Sequence, residues 1–441
     1  MSAVDPRRYW CERALLPSGV ADSVLVEISG DRFAAVTPGA PAGSAERLAG
    51  LTIPGLANCH SHAFHRALRG RTQTGRGTFW TWREQMYAVA SRLTPDSYYA
   101  LARAVYGEMA LAGITCVGEF HYLHHGPDGT PYDEPNAMGD ALIAAARDAG
   151  LRIALLDTCY VAGGIGQQLN EVQRRFSDGD ASSWANRVLG LKDADDVVIG
   201  AAAHSVRGVP RDQLGTVAEV FPDAPLHVHL SEQVAENEAC QAAYGRTPAQ
   251  LLDEAGFLAG RTSAVHATHL TRVDIGLLGG SSTYACFCPT TERDLADGIG
   301  PSAALRAAGS PLTLGSDSHA VIDLFEEMRA VELDERLLSQ QRGAWSSAEL
   351  LCAATVDGHR SLGFPDAGRI APGARADLVT IRLDTARTAG TGGGPETAVF
   401  AATAADVTGV VANGRRVVAE GKHQAIDVPA LLDQTIQDLT A

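Results

Sequence analysis

The sequence predicts an α/β fold: a (β/α)8 TIM-type barrel with a small β-sandwich domain built from both chain ends. Three observations predict it. Eight short apolar runs alternate with helical patterns through the middle of the 441-residue chain, and strands this apolar are buried on both faces, as in a parallel sheet. The two ends have another texture, strand-like but broken by Gly and Pro. Polar residues of related chemistry also recur where the apolar runs stop, and in a barrel chemistry collects at the C-terminal ends of the strands. The expected domains are residues 1–52 with 368–430 for the sandwich and 53–367 for the barrel.

The N-terminal sandwich strands are expected in "SVLVEI" and "RFAAVT". The barrel runs then follow in order: "LTIPGLAN", "ITCVGEF", "RIALLDTCY", "VVIGAAAHS", "LHVHLSE", "SAVHATHL", "STYACFCP" and "LTLGSDSH". Between the first two, Thr94 and Pro95 suit the N-cap and N1 positions of a helix on which Leu101, Val105 and Met109 recur every four residues. Gly113 is placed to end it. Leu324, Met328 and Val331 mark a similar stripe after the last run. "ADLVTIRL" and "VTGVVANGRRVVAEGK" return to β texture, with Asn413-Gly414 as a hairpin turn. "GTGGGPETA" (390–398) lacks the Lys-Ser/Thr of a phosphate loop and is expected to be a flexible surface loop with no helix after it.

Composition sets the class. With 45% hydrophobic and 20% charged residues the chain is ordinary globular protein. A formal charge of −16 argues against nucleic acid or an anionic membrane as a bulk partner, while leaving room for one cationic pocket. The N-terminus lacks the apolar core of a signal peptide and no apolar stretch is long enough to span a bilayer, so a cytoplasmic location is expected. The 8 cysteines are scattered without a C-x-x-C pair, and Cys286 and Cys288 read as a buried structural pair.

The candidate site lies at the strand ends. His60 and His62, in "NCHSHAFHR" (58–66), share one face of an extended segment by their i, i+2 spacing. His229 and Glu232 end the fifth run, His266 the sixth and Asp317 the eighth. Each has a plain structural alternative: His227 competes with His229, His269 with His266, and Asp317 could cap a helix. Four independent strand ends carrying such residues favour a metal site, and three imidazoles with one carboxylate suit Zn²⁺ or Fe²⁺ with a position left open for water.

H-x-H after the first strand, H-x-x-E after the fifth, His after the sixth and Asp after the eighth resemble the amidohydrolase superfamily, and within it the mononuclear deaminases. The binuclear branch carries a carboxylated lysine late in its third or fourth strand; Lys192 and Lys422 are this chain's only lysines and neither sits there. One metal ion is therefore expected. The longer stretches "FWTWREQMY" (79–87), "GEFHYLHH" (118–125), "AAHSVRGVP" (202–210) and "HVHLSEQ" (227–233) are similar to those of the formimidoylglutamate deiminases, in an order that covers essentially the whole chain.

The resemblance implies one divalent ion, Zn²⁺ in first place with Fe²⁺ served by the same donors, on His60, His62, His229 and Asp317. It implies catalytic roles for Glu232 as proton shuttle, His266 as stabiliser of the reacting centre and Asp317 as acceptor of the water proton. Arg83, Tyr122, His204 and Arg207 would bind a small dicarboxylate substrate. His65 stands where the family carries glutamine and is a further expected substrate contact. Phe79, Trp80 and Trp82 are expected to pack their loop. The implied activity is hydrolysis of N-formimidoyl-L-glutamate to N-formyl-L-glutamate and ammonia in histidine degradation, by a homodimer. The alternatives are a related deaminase of guanine, cytosine or adenosine type, or an imidazolonepropionase.

Overall fold

Each of the eight apolar runs supplies a strand to one parallel sheet, and both chain ends pair into another. The computed structural model describes residues 7–73 and 79–440, without the side chains of Phe79 and Trp80. Four strands come first: β1 (Arg7–Leu16), β2 (Gly19–Ser29), β3 (Arg32–Thr37) and β4 (Glu46–Pro54). The barrel follows as β5 (Leu56–Ser61), β6 (Ile114–His121), β7 (Arg152–Cys159), β8 (Val197–Ala203), β9 (Leu226–Leu230), β10 (Thr262–His266), β11 (Tyr284–Phe287) and β12 (Leu312–Leu314). The chain closes with β13 (Leu378–Ile381), β14 (Val407–Ala412), β15 (Arg415–Ala419) and β16 (Lys422–His423).

The barrel strands run in sequence order, β5 to β12, each parallel to the next. Closure of the ring comes just beyond β12, where Ser316 N and Asp317 N donate to His60 O at 3.1 and 3.0 Å and His62 N donates to Asp317 O at 3.2 Å. Helix α1 (Phe79–Ala90) and helix α2 (Pro95–Leu111) both fall between β5 and β6. Helix α2 starts as its sequence dictates: Thr94 and Ser97 cap it reciprocally, and Pro95 takes the first turn, where no amide donor is needed.

The eight end strands form a single mixed sheet in the order β16-β15-β14-β13-β4-β1-β2-β3. This sheet folds back on itself to make the sandwich. Phe33 N donates to Ala374 O at 3.0 Å and Ala376 N to Asp31 O at 2.7 Å, so edge strand β3 meets the segment leading into β13. Tyr9, Val26, Ile28, Phe33, Leu378 and Val411 fill the core enclosed between them. The expected hairpin turn is present: Asn413 and Gly414 join β14 to β15 with φ of 51° and 70°.

Three features depart from the sequence expectation. The first apolar run is two strands, because its Leu51–Pro54 half belongs to β4 and the chain changes sheet at Gly55. A Cβ there would lie 2.3 Å from Thr115 Oγ1 and 2.6 Å from the Asp377 Cβ, so only glycine lets the chain pass between the two sheets. The glycine-rich stretch 390–398 is followed by a helix after all, Pro395–Phe400, and is tied to it by Gly393 N donating to Thr397 Oγ1 at 2.9 Å. A helix at the C-terminus, Val428–Thr440, extends past the expected sandwich limit and packs on α2, and Arg92, between α1 and α2, donates to Leu439 O at 2.9 Å. Among the described residues no helix is long and apolar enough to cross a membrane.

A buried ion pair joins the two sheets at the foot of the barrel. Arg152, first in β7, holds Asp377 bidentately, with Nη1–Oδ1 at 3.1 Å, and also donates to Asn413 Oδ1 at 2.6 Å. Both charged side chains are fully buried. Removing one partner strands the other charge in an apolar interior. Arg152→Leu should therefore cost about 3–5 kcal/mol in denaturant unfolding, with the double substitution Arg152→Leu/Asp377→Leu recovering much of it.

Candidate metal centre and active site

The ends of four barrel strands deliver the expected residues to one place. His60 and His62 leave β5, His229 comes from β9 and Asp317 follows β12; one donor atom from each lies within 4.8 Å of all the others. His60 Nε2 is 3.0 Å from His229 Nε2 and 3.5 Å from Asp317 Oδ1, and His62 Nε2 is 3.3 Å from the same oxygen. Backbone carbonyls fix two of the rings. His62 Nδ1 donates to Phe120 O at 3.0 Å and His229 Nδ1 to His204 O at 2.9 Å, which leaves each Nε2 as a lone pair aimed inward.

Electrostatics agree with that tautomer. Burial lowers the pKa of His60, brings His62 down to about 3 with His60 as a second cause, and holds His229 well below the ordinary imidazole range. Asp317 is pulled the other way from its burial: hydrogen bonding and charge from His60, then His266 and His62, keep its carboxylate ionised. His60 Nε2 faces the His229 lone pair at 3.0 Å and the Asp317 carboxylate at 3.5 Å, while its own Nδ1 is buried without a hydrogen-bond partner, so all four donor groups converge on one point. The donor set thus fits one divalent ion in a tetrahedral or open site.

Around this centre the backbone turns sharply. Ser231, His266, Ala267 and Asp317 all have positive φ, at 51°, 68°, 47° and 41°. Non-glycine residues adopt that region at a cost and cluster where function holds them. His266 Nε2 reaches to 3.9 Å from Glu232 Oε1 and 3.7 Å from Asp317 Oδ2, with Glu292 Oε1 3.3 Å from its Nδ1. Against the effect of burial, Glu232, Glu292 and Asp317 raise the His266 pKa well above its usual value.

A pocket opens over the centre, and every other expected contact lines it: His65, Arg83, Tyr122, His204 and Arg207. His65 Nε2 is 3.0 Å from Tyr122 Oη. Arg207 lies 3.5 Å from Glu232 and 3.4 Å from Glu236. Arg83 rides on helix α1 and not on a loop as its sequence context suggested. Trp82 also lines the pocket, which corrects the expectation that it only packs its loop; the Phe79 and Trp80 side chains lie outside the described residues. Neither alternative joins the donor group: His269 Nε2 is bound to Asp297 O at 2.8 Å, and His227 is buried outside it. Lys192 is exposed and donates to Leu189 O, away from the strand ends.

The amidohydrolase family signature matches residues 51–417, spanning the barrel and the strands that flank it. The chain belongs to the amidohydrolase family. It is 38% identical over 431 residues to a formimidoylglutamate deiminase from Pseudomonas aeruginosa, covering 94% of this chain and 95% of that protein. An 8-oxoguanine deaminase from the same organism is 28% identical, over 94% and 92% of the two chains. Among solved structures, an amidohydrolase from Brucella melitensis superposes with a TM-score of 0.91 at 33% identity, covering 99% of this chain and 100% of the other. An adenosine deaminase from Xanthomonas campestris, solved with bound zinc, gives 0.84 at 25% identity over 98% and 97%.

Several residues of this amidohydrolase's site carried no strand-end signal. Glu292 grips the His266 ring, and the only hint was its place four residues after Cys288. Glu119 lies within the second apolar run, where a lone carboxylate was itself a signal. It accepts from Ser61 Oγ at 2.6 Å and Ala63 N at 2.7 Å, bracing the backbone on either side of His62, and burial pushes its pKa up to about 7. Cys286 and Cys288 are both buried, as expected of a structural pair, and the Cys288 thiol lies within 4.8 Å of donor atoms of His266 and Asp317. Metal analysis by mass spectrometry tests the ligand set. Zinc-loaded protein should retain a full equivalent after dialysis, with Glu232→Gln unchanged and His62→Ala or His229→Ala retaining about a tenth or less.

Proposed function

We propose that the protein is a metal-dependent deiminase that hydrolyses N-formimidoyl-L-glutamate to N-formyl-L-glutamate and ammonia in histidine degradation. The observation that carries this reading is one pocket that holds a proton-handling trio together with two guanidinium groups, Arg207 beside Glu232 and Arg83 on helix α1. The likeness to a formimidoylglutamate deiminase along 94% of the chain supports it. A purine or pyrimidine would call for Asn or Gln readers of its ring edge, and none is among the described residues lining the pocket.

A divalent ion, zinc in the first instance, would be held by His60, His62, His229 and Asp317, where it supplies Lewis acidity that brings the pKa of water towards neutrality. The residues themselves do the rest. Asp317, its Oδ2 3.7 Å from His266, accepts a proton from the attacking water. The oxygen adds to the formimidoyl carbon, while His266 donates from Nε2 to the charge that develops there. Glu232 relays that proton to the nitrogen that leaves, the hydroxyl proton of the adduct passes to Asp317 as the C=O forms, the C–N bond breaks, and ammonia departs to leave the N-formyl product. Arg83 and Arg207 bind the two carboxylates, with Tyr122, His204 and His65 as neutral partners along the chain between them. The working form is taken to be a cytoplasmic homodimer.

Ammonia release from N-formimidoyl-L-glutamate by zinc-loaded protein tests this, with guanine and cytosine assayed alongside. The expected kcat/KM is above about 10⁴ M⁻¹s⁻¹ on the first substrate, falling about 100-fold in Arg207→Ala. Turnover of a base with none of the formimidoyl acid would overturn the carboxylate pocket and leave a deaminase of another substrate.

A further inference from the structure

Two phenols on one wall of the pocket, Tyr87 and Tyr160, are backed by Gln173. Gln173, in the short helical turn Val172–Phe176, is 2% exposed. Its Oε1 accepts from Asn170 N at 2.9 Å, and Asn170 Oδ1 accepts from Gln173 N at 2.9 Å. That reciprocal pair fixes the sense of the Gln173 amide, so its NH₂ faces away from Asn170. There it donates to Tyr160 Oη at 2.8 Å and to Tyr87 Oη at 3.0 Å. Arg83 donates to the same two oxygens, from Nε to Tyr87 at 2.5 Å and from Nη2 to Tyr160 at 3.4 Å. Each phenol oxygen therefore already accepts two N–H groups, and its capacity as an acceptor is used up.

The two hydroxyl protons have little to bond. Burial, and then the neighbouring Tyr160, push the Tyr87 pKa up, so this phenol stays protonated and a donor. Neither proton has a hydrogen-bonded acceptor among the described residues, and both tyrosines line the pocket. Everything this wall presents to a ligand is a donor: a guanidinium and a phenol O–H.

We propose that Tyr87 and Tyr160, oriented by Gln173, form with Arg83 an all-donor receptor that selects a carboxylate over the corresponding carboxamide at this end of the substrate. A carboxylate only accepts, and satisfies the guanidinium and the spare O–H together. A carboxamide brings two N–H donors to oxygens that cannot accept them, and a site whose polar groups are left unpaired rejects its ligand strongly. Tyr87 and Tyr160 touch the substrate and set its specificity; Gln173 acts through them as a positioning residue. The proposal deepens the reading above and rests on its dicarboxylate substrate.

The test uses the zinc-loaded full chain and two measurements. Glutarate binding is read by titration calorimetry, and steady-state kinetics are run on N-formimidoyl-L-glutamate and on both of its monoamides. Tyr87→Phe and Tyr160→Phe should each weaken glutarate and raise KM about five- to tenfold, with kcat within about twofold of wild type. Discrimination should relax against only one monoamide, the one whose amide lies at this wall. Gln173→Glu replaces the donor by an acceptor that draws the phenol protons away, and should match the Phe variants or exceed them while the melting temperature stays near wild type. Unchanged glutarate affinity in both Phe variants, or unchanged selectivity between the monoamides, would overturn the proposal. If no formimidoyl acid is hydrolysed but glutarate affinity still falls in these variants, the receptor stands and the functional reading fails.

Discussion

The barrel is closed by the same residues that form its metal cluster. Ser316 N and Asp317 N both donate to His60 O, and His62 N donates back to Asp317 O. The seam between the last strand and the first is thus also the place where two candidate ligand strands meet. Main-chain hydrogen bonds set the Cα positions of His60, His62 and Asp317 relative to one another, so the donor geometry is as rigid as the sheet itself. Gly315 is part of that seam: a Cβ there would lie 2.7 Å from the His60 Cβ and 2.9 Å from Cys288 Sγ. Losing barrel closure would lose the cluster, and the reverse coupling follows because an ion bound to the native state alone stabilises it by mass action.

Below the seam lies a second buried polar layer. Asn58 Nδ2 donates to Ser316 Oγ at 2.7 Å, and Ser316 N donates to Asn58 Oδ1 at 2.9 Å. Ser316 Oγ lies 2.9 Å from His319 Nδ1, and His319 Nε2 lies 3.1 Å from Ser61 Oγ, which donates to Glu119. A continuous chain of hydrogen bonds therefore runs from β12 back to β6 beneath the ligands. In a low-dielectric interior such a network is strong when every member is satisfied and costly when one is not. It also accounts for polar residues in strands that otherwise read as wholly apolar.

The parts legible in the sequence are those whose position follows from strand period and strand end. His60 and His62 share a face because their spacing is two; His229, His266 and Asp317 are where they are because the apolar runs stop there. The split of the first run at Gly55 was not legible, since hydropathy is continuous across it and only the approach of Thr115 and Asp377 shows the change of sheet. Glu292, Tyr87, Tyr160 and Gln173 were hidden for a related reason. They come from the helix after β11, from α1, from the end of β7 and from a short helical turn, and they meet only through tertiary packing. Their roles depend on partner and direction of hydrogen bonding, which no spacing rule encodes.

The two pocket arginines are unlike in their electrostatic setting, and this gives the site a polarity. Arg207 stands between Glu232 and Glu236, both within 3.5 Å, so much of its charge is already balanced. Burial pushes the Glu236 pKa up to about 7, with Arg207 opposing it, so near neutrality the balance is partial. Arg83 instead faces neutral phenols and stacks over the Tyr87 ring at 5.2 Å. A carboxylate held at Arg207 is thus placed next to Glu232, so the Arg207 end, tied to the proton-handling groups, sets alignment.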